Sequence, residues 1–223
     1  MRLHTTIVLL IFFTPLASRA DLRDSIRYYL KHSKPTLIGG ASARNTFIGN
    51  EKTKVTGISA GVDYGEKISF TVGVYNLSHP LITQKTINQN TPSQYIAKEI
   101  SRFWYFGLTG DYLFLKKNRW ALDVPLRIGV GSANIELRKT DKSNALIQET
   151  THSIFPVETG LYAQYKIAWW LGLGAGLGTR VVIGKGMSQK FSGTYYNVGL
   201  TAFFGSVYNH IREDMRKNPV RPN

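Results

Sequence analysis

Residues 171 to 184 alternate between two kinds of side chain, and this alternation most strongly constrains how the chain folds. Successive side chains of an extended strand point to opposite faces. One face would carry Leu171, Leu173, Ala175, Leu177, Thr179, Val181 and Ile183, and the other Gly172, Gly174, Gly176, Gly178, Arg180 and Gly184. In a soluble sheet the second face would carry exposed polar side chains. An apolar outer face opposite a small or charged inner face is typical of a transmembrane barrel wall.

The same period of two recurs in eight segments, near 36–48, 54–64, 67–77, 101–115, 119–134, 152–167, 170–184 and 193–206. Short joins alternate with longer polar links near 78–100, 135–151 and 185–192, as periplasmic turns and external loops do in bacterial outer-membrane barrels. The pattern predicts an all-β fold, an eight-stranded antiparallel up-and-down transmembrane β-barrel over residues 35–206. The first segment fits least well, because its outward positions include Gly39, Ala41 and Ala43. We expect the preceding segment to cover this thin face in part.

The first twenty residues resemble a secretory signal peptide, with a basic head, an apolar run from Ile7 to Phe13, and small residues at Ser18 and Ala20. We predict cleavage after Ala20 and export to the bacterial outer membrane. Cleavage removes Arg2 and Arg19 from the 28 basic residues, which leaves 26 against 14 acidic residues, a net charge of +12. In an exported chain without a clustered basic patch, this charge favours lipopolysaccharide or anionic headgroups over nucleic acid as the partner.

The two ends of the mature chain have different patterns. Residues 21–34 predict a short N-terminal amphipathic helix with an apolar stripe of Leu22, Ile26, Tyr29 and Leu30. Such a helix would lie in the periplasmic leaflet or cap the barrel mouth. Residues 207–223 are predicted to be a solvated polar tail.

Aromatic residues on the outward parity fall at the two ends of the predicted strands, where amphipathic rings settle at the headgroup level. With the termini in the periplasm, the outer girdle would be Phe47, Trp104, Phe155 and Tyr196. The inner girdle would be Tyr64, Tyr112, Phe114, Trp120, Tyr165 and Phe204.

The inward parity carries four positive and four negative side chains: Arg44, Asp63, Asp111, Asp123, Arg127, Glu158, Lys166 and Arg180. An eight-stranded barrel has room inside for little more than side chains, and buried charges need partners. We therefore predict an ion-pair network that plugs the lumen, with Tyr162 and Tyr105 filling the space beside the glycines of the seventh segment. A proton or ion path, or a small polar cavity, is the alternative.

The runs Asn118–Gly131 and Trp170–Gly178, together with the strand pattern and the signal peptide, resemble small outer-membrane β-barrel-domain proteins related in architecture to OmpA and OmpX. The resemblance implies the fold and specifies no chemistry. Many such proteins end on an aromatic residue that closes the last strand. Here Phe204 and Tyr208 are followed by a polar segment.

The functional prediction is a monomeric, non-catalytic outer-membrane barrel with a plugged lumen. It would be structural, adhesive or an envelope-assembly subunit that meets protein partners through its loops or tail, without cofactor or metal. One alternative is a lipid A-modifying deacylase or acyltransferase, for which the candidate catalytic residues are His152, Ser153 and Glu158. His152 and Ser153 would point to opposite faces of one strand, which argues against a catalytic pair. A narrow pore is a further alternative, whereas the outward apolar parity argues against a soluble lipocalin-like carrier.

Overall fold

The computed structural model describes residues 19–48, 51–87, 95–140, 144–184 and 191–217. Residues 1–18 of the predicted signal peptide lie outside these ranges, so the cleavage after Ala20 stays a prediction. The elements are α1 (Arg19–His32), β1 (Pro35–Ile48), β2 (Glu51–Tyr64), β3 (Ile68–Leu77), β4 (Leu81–Ile87), β5 (Tyr95–Lys117), β6 (Trp120–Lys139), β7 (Leu146–Lys166), β8 (Leu171–Ile183), β9 (Gly193–Ala202) and α2 (Phe204–Lys217). Within the described ranges, neither helix has the length and apolar character needed to cross a bilayer.

Eight of the strands close into a ring, because β1 pairs with both β2 and β9, and β3 pairs with β5. All neighbouring strands in the ring run antiparallel. The pairing of β1 with β9 that closes the ring extends from Gly39 opposite Ala202 to Thr46 opposite Tyr195. The predicted eight-stranded up-and-down barrel is therefore confirmed. Closure satisfies the backbone of every strand without leaving an edge in the ring.

The barrel wall has its apolar side chains on the outside. Leu177 is 70% exposed and Ile58 69%, whereas Arg180 and Glu158, on the opposite parity, are each 1% exposed. This arrangement inverts the pattern of a soluble protein, in which exposed large apolar patches are small. The outer face is suited to hydrocarbon and the core of the molecule is its lumen.

Two of the predicted polar links contain strand instead. β4 pairs with the first residues of β5, from Leu81 opposite Ser101 to Ile87 opposite Tyr95, and β6 pairs with β7 as far as Arg138 opposite Leu146. The result is a four-stranded sheet that continues beyond the ring, formed by β4, 95–103, 133–139 and 146–153. It lies at the end opposite the short turns and helices α1 and α2, which is the external end in the predicted orientation with the termini in the periplasm. We call it the extracellular sheet.

Helices α1 and α2 both pack at the rim that carries the short turns, which is the periplasmic rim in the predicted orientation. Helix α1 lies against the β2–β3 turn, where an added Cβ at Gly65 would be 2.6 Å from Ser33 Oγ and 3.0 Å from Tyr29 Cδ1. The predicted solvated tail from residue 207 is helical as far as Lys217, and its solvation stays a prediction. Helix α2 covers the thin outward face of β1 at Gly39, where Phe204 Cε2 lies 2.7 Å from the position of an added Cβ, whereas Leu37 and Ala41 are exposed. The expectation that the preceding segment covers it is therefore corrected.

Candidate functional site in the barrel lumen

The external half of the lumen is filled by an apolar cluster. Its buried members are Val55, Tyr75, Leu77, Phe103, Tyr105, Ala133, Ile154, Val182 and Phe191. The rings of Tyr75 and Tyr105 stack at 5.1 Å, and those of Phe103 and Phe191 meet edge to face at 5.0 Å. Such packing closes the lumen with close-packed side chains.

Directly beneath this cluster, Glu158 is surrounded by three arginines. Its Oε2 atom pairs with Arg44 Nη1 and lies 2.8 Å from Arg127 Nη1, while Oε1 lies 3.7 Å from Arg180 Nη1. The hydroxyl of Tyr105 donates a hydrogen bond of 2.6 Å to Oε1. Four of the eight predicted lumen charges therefore form one buried cluster with an excess of two positive charges, which we call the arginine cluster.

Strand register explains why these groups meet. Glu158 on β7 lies opposite Arg127 on β6 and opposite Arg180 on β8, so the three side chains enter the lumen at one level. Arg44 reaches them from β1, which does not neighbour β7 in the ring. The narrow lumen of an eight-stranded barrel makes this contact across the axis possible.

The three arginines have further partners, which stabilise the positive charge that Glu158 alone does not neutralise. Arg127 Nε donates to Thr109 Oγ1 at 2.7 Å, and Arg180 Nε donates to the Phe191 carbonyl at 3.0 Å. The guanidinium carbons of Arg44 and Arg127 lie 4.4 and 4.3 Å from the centre of the Tyr75 ring. Cation–π contacts with a desolvated ring stabilise charges that a single carboxylate cannot neutralise.

The other four predicted lumen charges lie nearer the periplasmic end and do not join this cluster. Asp111 accepts a hydrogen bond from Ser69 Oγ at 3.0 Å, and Asp63 accepts one from the Glu66 amide at 2.7 Å. Asp123 Oδ1 has no hydrogen-bond partner among the described residues. Lys166 pairs with Glu66 at 2.9 Å instead of with a lumen carboxylate.

Between the arginine cluster and the periplasmic mouth lies a cavity of about 190 Å³. Its lining includes Asp111, Asp123, Tyr162 and Asn197. The lumen is therefore packed in its external half and contains a polar cavity below it, so features of both the predicted plug and the alternative polar cavity are present.

At the periplasmic mouth, the carboxylate of Glu66 in the β2–β3 turn forms ion pairs with two lysines. These are Lys116 near the end of β5 and Lys166 at the end of β7. Partial burial alone would raise the pKa of the Glu66 carboxyl, but hydrogen bonds and charge interactions with the two lysines lower it below its usual value. The turn is thus tied to the β5–β6 and β7–β8 ends of the barrel.

Glycines that face the lumen leave space for tyrosine rings, as predicted for Tyr162. A Cβ added at Gly174 would collide with the Tyr162 hydroxyl, and one at Gly178 would lie 2.5 Å from the Tyr195 hydroxyl. Tyr105 does not fill space beside β8. It lies against β6, where its Cβ is 2.5 Å from the position of a Cβ added at Gly131.

The predicted girdle residues lie at the ends of the wall. Phe47 and Tyr196 approach to 6.2 Å between ring centres at the external end, and Trp120 and Tyr165 to 4.9 Å at the periplasmic end. Trp104 and Phe155 are exposed externally, and Tyr64 and Tyr112 lie at the periplasmic ends of their strands. Phe114 is the extra residue of a β-bulge between Leu113 and Leu115, and Phe204 is the first residue of α2.

The three candidate catalytic residues do not assemble into a site. His152 and Ser153 are on opposite faces of β7, and Glu158 lies six residues away in the lumen, about 20 Å along an extended strand. Glu158 is committed to the arginines and Tyr105. Among the described residues, no group of histidine and acidic side chains could hold a metal ion.

Sequence reasoning missed most of the apolar cluster. Tyr75 and Phe103 lie at inward-facing positions of their strands. Their burial could have been predicted from these positions, because a large ring that faces the axis must be packed in the lumen. Phe191 follows residues outside the described ranges, in a segment expected to be a loop, and nothing in the alternation marks it as buried.

No protein-family model and no curated protein matches this sequence. Among solved structures, the chain is similar to a major outer membrane protein from Thermus thermophilus, with 10% identity, a TM-score of 0.52, and coverage of 75% of this chain and 98% of that one. The fold is that of an outer-membrane β-barrel. This confirms the resemblance to small OmpA- and OmpX-like barrels at the level of architecture.

Two further similarities are to proteins that the chain covers almost completely. Neisserial surface protein A is 15% identical with a TM-score of 0.47, and 76% of this chain covers 97% of that one. Ail, the attachment invasion locus protein of Yersinia pestis, is 7% identical with a TM-score of 0.42, and 76% of this chain covers 96% of that one.

Proposed function

We propose that the protein is a non-catalytic, non-conducting barrel of the bacterial outer membrane that carries a β-sheet outward as a contact surface. The observation that supports this most directly is the closed external half of the lumen. The apolar cluster and the arginine cluster beneath it occupy the space through which ions would have to pass. A barrel so filled serves as a rigid anchor.

The extracellular sheet supports a structural or adhesive role. It is held by continuous pairing with the barrel strands, so it extends rigidly from the membrane by about 20 Å, the length of seven extended residues. Its outer face exposes apolar side chains, among them Ile82 and Ile96. An exposed apolar surface of this kind is characteristic of a site that contacts another molecule.

Lipopolysaccharide is the proposed lipid partner at the external rim. Arg102 lies two residues beyond Trp104 on the same outward face, and it is half exposed. Arg102 and Arg138 share one carboxylate, that of Glu136, at 2.6 and 2.8 Å. One excess positive charge therefore faces the level at which lipid phosphates lie.

Two measurements test the proposal. In planar bilayers the purified barrel is expected to give no stable unitary conductance, and regular steps would favour the narrow-pore alternative. Because the chain has no cysteine, a Gln84→Cys variant on β4 and a Lys117→Cys variant at the β5–β6 turn can be labelled singly. On intact cells, an impermeant maleimide should modify position 84 and spare position 117, and the reverse result would contradict the orientation.

The contact role is tested on the same cells. Replacing Ile82 and Ile96 by aspartate should reduce attachment or aggregation of the expressing cells, while the Gln84→Asp change on the same face should have a smaller effect. Surface labelling must remain equal in all variants. Attachment unchanged by the isoleucine substitutions would contradict the proposed contact surface.

A further inference from the structure

Helix α2 leaves the barrel at its periplasmic rim with one side facing outward. Phe203 faces the lumen cavity, whereas Phe204 lies on the outer surface over Gly39 of β1. The amide of Phe203 donates to the Trp170 carbonyl at 2.9 Å, which ties the start of the helix to the β7–β8 turn. This hydrogen bond and the contact of Phe204 with Gly39 fix the orientation of the start of α2 relative to the barrel wall.

The outward side of α2 is an apolar stripe. Tyr208 and Ile211 follow Phe204 at spacings of four and seven residues, so the three side chains lie within an arc of about 60° on the helix. They are exposed to 53% at Phe204, 64% at Tyr208 and 50% at Ile211. Because Phe204 belongs to the stripe and lies on the outer wall, the stripe continues the apolar surface of Val198 and Leu200.

The adjacent turn adds two tryptophans. Trp169 and Trp170 are exposed, and the ring of Trp169 lies 4.7 Å from that of His210 on α2. Trp is the residue most characteristic of the membrane interface, since its ring is amphipathic. We call the stripe and the turn together the rim patch, which consists of Ile167, Trp169, Trp170, Phe204, Tyr208 and Ile211.

We propose that α2 is an interfacial helix that binds phospholipid, with the rim patch buried at the headgroup and acyl boundary of the periplasmic leaflet. The ligand of the rim patch is inferred from the continuity of the patch with the apolar outer wall of the barrel. A soluble partner that covered the rim patch would also have to enter the hydrocarbon beside Leu200. Arg212, about 100° around the helix from Ile211, is exposed and suited to pair with an anionic headgroup while its stem lies along the surface.

The test uses single-cysteine variants of the full chain, labelled with an environment-sensitive fluorophore. Ile211→Cys reports on the stripe, and Ser206→Cys, about 140° around the same helix from Ile211, is its control on the opposite side. The proteins are reconstituted in vesicles of phosphatidylethanolamine and phosphatidylglycerol, with and without nitroxide-labelled lipid. The label at position 211 should be quenched severalfold more than that at 206 and should emit at a shorter wavelength.

The proposal rests on the membrane placement of the barrel, so Leu108→Cys in the middle of β5 serves as a second reference. If the label at 108 is not quenched, the proposed membrane barrel fails. If 108 is quenched while the label at 211 is not quenched and shows aqueous emission, only the interfacial helix is wrong. Disulfide-linked dimers through position 211 in excess lipid would identify a second copy as the occupant and overturn the proposal. A Tyr208→Cys variant repeats the test, and heat modifiability on gels verifies folding of each variant.

Discussion

Glu158→Gln is the substitution that tests the lumen most sharply, because it removes one charge and almost no volume. The glutamine can still accept the hydrogen bond of Tyr105, but Arg44, Arg127 and Arg180 lose their common counterion. Glu158 and Arg44 are fully buried. Removing one partner from a buried ion pair costs about 3–5 kcal/mol, because the remaining charge is left uncompensated. We expect a loss of this size in the free energy of unfolding.

Glu136→Gln is the matched control. Glu136 also contacts two arginines, but its pair with Arg102 is open to water, since the Arg102 side chain is 52% exposed. Exposed ion pairs contribute less than about 1 kcal/mol. Urea-dependent folding in vesicles, followed by the mobility shift of the unheated protein on gels, measures both variants. Equal losses in the two, or no loss in Glu158→Gln, would refute the reasoning that one carboxylate holds the arginine cluster together.

Three other perturbations give separate expectations. Arg127→Leu should lower the urea midpoint of unfolding without producing current in planar bilayers, and a new conductance would contradict closure by the apolar cluster. Gly61→Ala should destabilise the barrel by about 1–3 kcal/mol, because its Cβ would collide with the backbone of β3, whereas Gly110→Ala, 3.6 Å from the nearest ring, should be tolerated. The lowered pKa of Glu66 means that its small contribution, discounted below about 1 kcal/mol for exposure, is present above the unfolded-state pKa and is lost as pH falls through the folded-state pKa. Glu66→Gln should therefore reduce the acid sensitivity of the urea midpoint, and an unchanged pH dependence would argue against the pairing with the lysines.

The wall of the barrel was predictable because lipid imposes a strict code on it. Every second residue within the bilayer must be apolar, so strands such as β8 could be read from sequence with both faces assigned. This code ends where the strands leave the membrane. In β4 and in residues 133–139 both faces of the strand lie outside the bilayer. Lysine, glutamate and threonine are therefore mixed with isoleucine in these segments. Without contrast between the faces, these segments resembled loops.

The arginine cluster was predictable in composition and not in pairing. Parity placed Glu158 and the three arginines inside, but it placed Asp111 and Asp123 there as well. Which carboxylate meets the arginines depends on the stagger of neighbouring strands, which puts Glu158 level with Arg127 and Arg180. A one-residue change of register would reverse each face, so this information resides in the closed sheet.

Helix α2 was missed because its charged residues are as numerous as its apolar ones and cluster toward its end. The spacing of Phe204, Tyr208 and Ile211 was the signal that could have revealed it. Its packing on Gly39 also explains why β1 lacks large outward side chains at that level, since the ring of Phe204 occupies the space.

The central claim is that the aliphatic faces of the strands contact acyl chains while the opposite faces look toward the axis. Spin labels placed singly at Asn197, Val198, Leu200 and Thr201 of β9, in vesicles, measure it directly through collision with oxygen, which concentrates in hydrocarbon. We expect high oxygen accessibility at 198 and 200 and low accessibility at 197 and 201. Equal accessibility at all four positions, or the reverse alternation, would contradict it.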